Sequence, residues 1–218
     1  MNVNNKILFY LILFSNFLLS KNLILHDYDS PSQNQANHTL DTTIQDNLLI
    51  VVGMLGGIDF YDISNPSELN HLDNFNLSSG GGGGGQGGGT KPNCMVTSGD
   101  YAYVTTNKGL GVINISNPSN PQYLGIVTGS DSYILENLDV YGNVLAVAAH
   151  EDGVLIYDLS SPSNPQLDYV LPSINSWVVS LDENHVYVGD QSNLVKYLYN
   201  NTEALNTLEL SNSIKDIY

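Results

Sequence analysis

The chain has 218 residues, with 6 Lys+Arg against 22 Asp+Glu and a net charge of −16. Such a field repels phosphate, which argues against nucleic-acid binding and against docking on anionic lipid. Only 13% of residues are charged, so most polarity is neutral. Hydrophobic residues at 42% suffice for a packed core. Cys94 is the single cysteine and has no partner for an internal disulfide, and no Cys/His cluster has zinc spacing.

Residues 1–20 read as an export signal. A short segment with one positive side chain, Lys6, precedes an apolar run from Ile7 to Leu19 that only Ser15 and Asn16 interrupt. This length suits a signal-peptide core, whereas a membrane span needs about 20 apolar residues. An uncleaved anchor continuing through Leu23–Leu25 past Lys21 is the competing reading, and the one route to a membrane. Residues 21–40 are polar and read as a leader or loose arm.

Beyond that point the chain repeats. GGIDFYDISNPSEL (56–69), GLGVINISNPSNPQYLGIV (109–127) and GVLIYDLSSPSNPQLDYV (153–170) share one grammar, with Asp62, Asn114 and Asp158 in equivalent places. DNLLIVVG, SGDYAYVT and YGNVLAVA lie upstream of them. A degenerate fourth copy, DENHVYVGDQSNLVKYLYNN, keeps Val188 in register with Val104 and Val147. The period is about 42 residues once a Gly-rich insertion at 79–90 is set aside, and that tract has neither the lysine nor the strand-to-helix context of a phosphate loop.

Each copy reads as four short strands. In copy two, Met95 and Thr97 lead to a turn at Gly99-Asp100; Tyr101–Val104, Leu110–Ile115 and Tyr123–Val127 follow. Alternation, β-branched content and turn signals every eight to twelve residues favour strands over helix. Asp62 and Asp158 close third strands and read as turn-capping carboxylates. The Asn-Pro pairs after them set the loop backbone.

Four antiparallel strands in a unit of about 42 residues is the pattern of a β-propeller blade, so the fold expected is all-β, with about four blades at 41–77, 93–128, 136–171 and 177–210. YAYVTTNKGLGVINISNPSNPQYLGIV and LAVAAHEDGVLIYDLSSPSNPQ resemble the repeats of the LVIVD family. That resemblance implies a propeller in a surface or secreted setting and carries no catalytic motif. Residues 213–218 resemble the start of a fifth inner strand. The array therefore reads as part of a larger ring; a compact four-bladed ring clasped by the tail or by the arm near Leu23–Leu25 is the alternative.

Turns between second and third strands, and connections between blades, should gather on one face. They place Met54-Leu55-Gly56, Thr106-Asn107-Lys108, His150-Glu151-Asp152 and Asp190-Gln191-Ser192 there. Asn107, Lys108, His150, Glu151, Asp152 and Asp190 are the candidate ligand-face residues. His150 with the three acids is the one group with metal or acid/base potential, although solvated loop charge is the commoner outcome. No catalytic residue, metal ligand or cofactor is assigned. His185, Cys94, Trp177 and the tyrosines Tyr101, Tyr103, Tyr157 and Tyr187 read as structural, and His26, His38 and His71 lack partners at useful spacing. The sequons at Asn37, Asn76, Asn114 and Asn200 read as chance matches in an Asn-rich chain.

The functional expectation is a non-enzymatic, exported propeller that serves as a surface or secreted interaction module for a protein or glycan. A structural envelope or adhesin component is the first alternative. A propeller hydrolase or lactonase with a divalent cation in the channel is the second; it would need acidic or Asn side chains from several blades along one axis, and Asp139 and Glu183, at different offsets in their copies, do not form that ring.

Overall fold

The computed structural model describes residues 39–53, 57–65, 67–77, 90–214 and 216–217. The expected leader, most of the arm, the rim residues Met54–Gly56 and nearly all of the glycine insertion lie outside these.

Sixteen strands form four antiparallel meanders. Sheet 1 is β1 (Thr39–Gln45), β2 (Leu48–Gly53), β3 (Gly57–Asp62) and β4 (Asn70–Phe75). Sheet 2 is β5 (Pro92–Ser98), β6 (Tyr101–Thr106), β7 (Gly109–Asn114) and β8 (Gln122–Ile126). Sheet 3 is β9 (Leu138–Tyr141), β10 (Val144–Ala148), β11 (Val154–Asp158) and β12 (Gln166–Leu171). Sheet 4 is β13 (Ser176–Leu181), β14 (His185–Asp190), β15 (Asn193–Leu198) and β16 (Ala204–Glu209). No α-helix occurs among the described residues; one 3-10 turn spans Ser130–Ser132.

The valines that reveal the period hold one register. Val51, Val104, Val147 and Val188 face Thr42, Met95, Leu138 and Val179 on their inner strands. Alternation sends successive side chains to opposite faces, so every interior sheet is apolar on both sides. Ile50, Ile58 and Phe60 of sheet 1 meet Ala102, Val104 and Ile113 of sheet 2. Tyr103 and Val112 meet Leu145, Leu155 and Tyr157 of sheet 3. Ala146, Val154 and Ile156 then meet Val186, Val188 and Val195 of sheet 4. Sheets 1 and 4 share no core among the described residues. The array is a run of four propeller blades and does not close, which removes the compact four-bladed ring.

The turn chemistry is local. Asp62 Oδ1 accepts the Ser64 N–H at 2.8 Å, Asn114 Oδ1 that of Ser116 at 2.9 Å, and Asp158 Oδ1 that of Ser160 at 2.9 Å. The Ser64 N–H and then its hydroxyl hold the Asp62 carboxyl below the usual range, and the Ser160 hydroxyl, then its N–H, do the same for Asp158. At the opposite end, Gly57, Gly109 and Gly153 open the third strands at φ of 96°, 115° and 92°. A β-carbon on Gly153 would run into the Leu171 carbonyl, and one on Gly57 into that of Phe75. Only glycine fits where the chain leaving each of the first three blades crosses this point.

Successive inner strands are joined by side chains. Asp41 Oδ2 accepts the Met95 N–H at 2.8 Å. Asn137 Oδ1 accepts that of Val179 at 3.0 Å, and Asp139 Oδ2 accepts the Leu181 N–H at 2.7 Å and the Ser180 hydroxyl at 3.2 Å. Asp139 therefore ties sheet 3 to sheet 4, while Glu183 is exposed in the β13–β14 turn. Ile214 N–H donates to the Gln191 carbonyl at 2.9 Å, as Ser176 N–H donates to that of His150 at 3.0 Å.

Candidate site on the rim of blades two to four

The β6–β7, β10–β11 and β14–β15 turns lie at the same end of the blades as the β8–β9 and β12–β13 connections. Three inner strands begin at this rim with a polar or aromatic residue in one register position, two residues ahead of Met95, Leu138 and Val179. These residues are Asn93, Glu136 and Trp177.

Glu136 is the hub. Its Oε1 lies 2.8 Å from His150 Nε2, and its Oε2 accepts from Asn93 Nδ2 at 3.0 Å. The Glu136 carbonyl accepts from the Thr105 hydroxyl at 2.7 Å. The other ring nitrogen of His150, Nδ1, lies 3.1 Å from Asn175 Oδ1. The backbone of His150 sits at φ 52° and exchanges two hydrogen bonds with Ser176. The Trp177 ring meets the imidazole edge-on, with centroids 4.6 Å apart and planes at 80°. One histidine, held on both nitrogens, thereby joins three blades and fixes an aromatic ring beside it.

The six candidates from the sequence have different fates. His150 stands in this network. Glu151 and Asp152 are exposed at the tip of the same turn, and neither carboxylate bonds to His150. Asp190 is buried rather than displayed. Its Oδ1 accepts the Asn175 N–H at 2.8 Å and its Oδ2 the Ile174 N–H at 3.0 Å, fixing the entry to β13. Asn107 is exposed, and its Oδ1 accepts the Lys91 N–H at 2.6 Å. Lys108 is exposed beside it and donates its N–H to Thr106 Oγ1 at 3.1 Å. The group of His150 with three acids thus does not converge, and among the described residues no three His, Cys, Asp or Glu side chains are placed to share an ion.

Glu136, Asn93 and Asn175 escaped the sequence reading because they belong to strand starts rather than turns. Asn93 and Glu136 share the register position just described, whereas Asn175 lies two residues before Trp177 and carries no such signal. Trp177, expected in the core, is 42% exposed. It is the second residue of β13, just ahead of Val178 and Val179, which enter the interior. His71, expected to lack a partner, has Nε2 3.2 Å from Asp59 Oδ1. His185 is structural, with Nδ1 2.9 Å from Asp182 Oδ1. Burial, with the Asp41 and Glu136 charges adding to it, pushes the Cys94 thiol up to about 12. A recess lined by Asp62, Ser64, Asn65 and Glu68 lies at the opposite end of blade one. Its Asp62 is already engaged with Ser64.

Comparisons place the chain among known folds. No curated protein matches its sequence. Among solved structures, the computationally designed Ika8 protein aligns at 15% identity with a TM-score of 0.60, over 80% of this chain and 50% of that one. The computationally designed Ika4 protein aligns at 13% identity and a TM-score of 0.53, over 84% and 95% of the two chains. A candidate 6-phosphogluconolactonase from Bacteroides uniformis aligns at 13% identity and a TM-score of 0.64, over 85% and 62%. The chain therefore spans half of the first structure and under two thirds of the third. These likenesses are of fold alone. The LVIVD repeat profile matches residues 44–76, 94–129, 135–169 and 175–195, and the chain belongs to the LVIVD-repeat family.

Proposed function

We propose that this protein is a non-enzymatic, exported propeller acting as a surface or secreted interaction module, with the rim of blades two to four as its contact surface and a neutral glycan as the ligand class. The observation that carries this reading is the Glu136–His150–Trp177 constellation. An exposed indole offers a flat apolar face for the C–H side of a sugar ring. The remaining hydrogen-bonding capacity of the surrounding carboxylate and amide groups matches hydroxyls, while the imidazole, held on both nitrogens, positions them. The network is rigid before any ligand arrives, which lowers the ordering cost of binding. Net charge of −16 disfavours phosphorylated or sulfated ligands. Export is supported by the apolar run Ile7–Leu19 behind Lys6.

The test is an array of neutral oligosaccharides probed with the purified chain, followed by titration calorimetry on the best binder. Trp177→Ala should weaken binding at least about tenfold while shifting the melting temperature only slightly, because the ring is 42% exposed and packs on the rim rather than in a core cluster. Binding that survives both Trp177→Ala and Glu136→Gln, or no binding to any neutral glycan, would overturn the glycan reading. Residues 1–20 fused to a reporter active only outside the cytoplasm should give activity; a silent fusion would remove export.

A further inference from the structure

The rim of blades three and four displays more than a sugar needs. Ile134 and Ile174 are 70% and 69% exposed, more than any other large apolar side chain among the described residues. Ile134 stands two residues before Glu136 in the connection from β8 to β9, and Ile174 directly precedes Asn175 in that from β12 to β13. Glu136 and Asn175 bond the two ring nitrogens of His150, so the isoleucines flank the imidazole and the Trp177 ring beside it.

Neither isoleucine sits on slack chain. The buried Asp190 carboxylate accepts the N–H groups of Ile174 and Asn175 at 3.0 and 2.8 Å. Beyond Ile134, Leu135 is buried, and the Glu136 N–H donates to the Ala148 carbonyl at 3.0 Å. The ladder of sheet 4 passes from Ser176 opposite Asp190 to Val178 opposite Gly189, and this bulge at Trp177 turns the indole outward. Three large apolar side chains are thus held in the open on fixed backbone, where burying them against a ligand costs little further ordering.

A neutral glycan covers the indole but leaves two branched aliphatic chains uncovered. Charge identifies what else is bound. Glu151 and Asp152 are exposed at the tip of the turn that carries His150. Lys91 and Lys108 belong to blade two, and Lys196 is engaged within sheet 4, its ammonium 5.3 Å from the Tyr187 ring centroid. Countercharge for the acidic turn is therefore left to the ligand. A lipid tail would cover the isoleucines and bring no cation, whereas a polypeptide brings both. We propose that the glycan taken by this rim is one borne on a polypeptide, bound together with the residues beside its attachment point. Aliphatic side chains of that segment pack on Ile134 and Ile174, and its Lys or Arg side chains face Glu151 and Asp152. This inference rests on the glycan reading and adds the attached segment to it.

The test takes the full chain and the best neutral oligosaccharide from the array, free and coupled to peptides with leucine and lysine, leucine and glutamate, or serine and lysine beside the sugar. In calorimetry at physiological ionic strength, the leucine–lysine glycopeptide should bind at least about tenfold tighter than the free sugar. Ile134→Ser with Ile174→Ser should remove that gain and keep the affinity for the free sugar. Glu151→Lys with Asp152→Lys should move the preference to the leucine–glutamate glycopeptide. All four side chains are exposed, and melting temperatures measured alongside should match that of the parent chain. A free sugar that binds as tightly as every glycopeptide overturns this inference and leaves the glycan reading standing. A gain that survives both double variants does the same. A leucine–lysine peptide that binds as tightly without its sugar overturns both readings, as does a lack of binding to every probe.

Discussion

Asp139 Oδ2 receives the Leu181 amide at 2.7 Å, from a strand 42 residues further along the chain. This single acceptor holds the inner strand of blade four against that of blade three, and the Ser180 hydroxyl reinforces it at 3.2 Å. Asp139→Ala should destabilise the protein by about 1–3 kcal/mol, the usual penalty for stranding a partly buried donor at a packed interface. Hydrogen exchange is the sharper measurement. The Leu181 amide should exchange faster in the variant, while amides of blade one stay as they are.

Glu136 makes side-chain contacts to blade two through Asn93 and to the rim through His150. Glu136→Ala removes both and leaves the imidazole with one of its two partners. A loss of about 1–3 kcal/mol in urea unfolding is expected. The quantum yield of Trp177 should change as well, because the edge-on imidazole is no longer held. An unchanged emission spectrum would show that the tryptophan environment does not depend on this carboxylate.

Gly153→Ala tests the crossing point. Its φ of 92° is strained for any side chain, and a β-carbon would meet the Leu171 carbonyl. The expected loss exceeds about 1 kcal/mol in thermal unfolding, whereas Gly142→Ala, which shares the positive φ and has open space around it, should lose less.

Acid should weaken the fold through depressed carboxyls. Asp182 is held well below its ordinary value of 3.8 chiefly by the Asn184 amide, then by the Tyr187 hydroxyl and by His185. A carboxyl lowered in the folded state adds stability above its unfolded value, and that stability is lost as pH falls toward the folded one. Asp182→Asn should therefore reduce the drop in melting temperature between neutral pH and about pH 3. Equal drops in both proteins would show that this carboxylate does not control the acid limb.

Cys94, its thiol pushed up to about 12, should react slowly with alkylating reagents at mildly alkaline pH and normally in denaturant. Thiol titration with and without urea measures this directly.

The architecture was legible because each blade repeats the same demands on its residues. Val104, Val147 and Val188 keep one face apolar, glycine opens three of the four third strands, and Asp62, Asn114 and Asp158 fold one turn back on its own backbone. Such signals are local, so a period of about 42 exposes them. The rim network was not legible, because Asn93, Glu136 and Trp177 share a register position but no chemistry. Their meeting depends on contacts between blades: Asn93 reaches Glu136 across 43 residues of sequence. The acidic pair beside His150 drew attention through sequence adjacency, yet adjacent turn residues diverge while residues one repeat apart converge. Trp177 was misplaced for a related reason. An aromatic in a strand pattern reads as core, and only the position of its strand at the rim leaves it open to solvent.

The tie from Asn137 to Val179 spans 42 residues, as does that from Asp139 to Leu181. During synthesis at roughly 5–20 residues per second, a finished blade would therefore wait roughly 2–8 s before the strand that secures it leaves the ribosome. In that interval its newest edge is a sticky sheet with nothing to hold, which makes the nascent chain a natural client for chaperones that shield open β-surfaces.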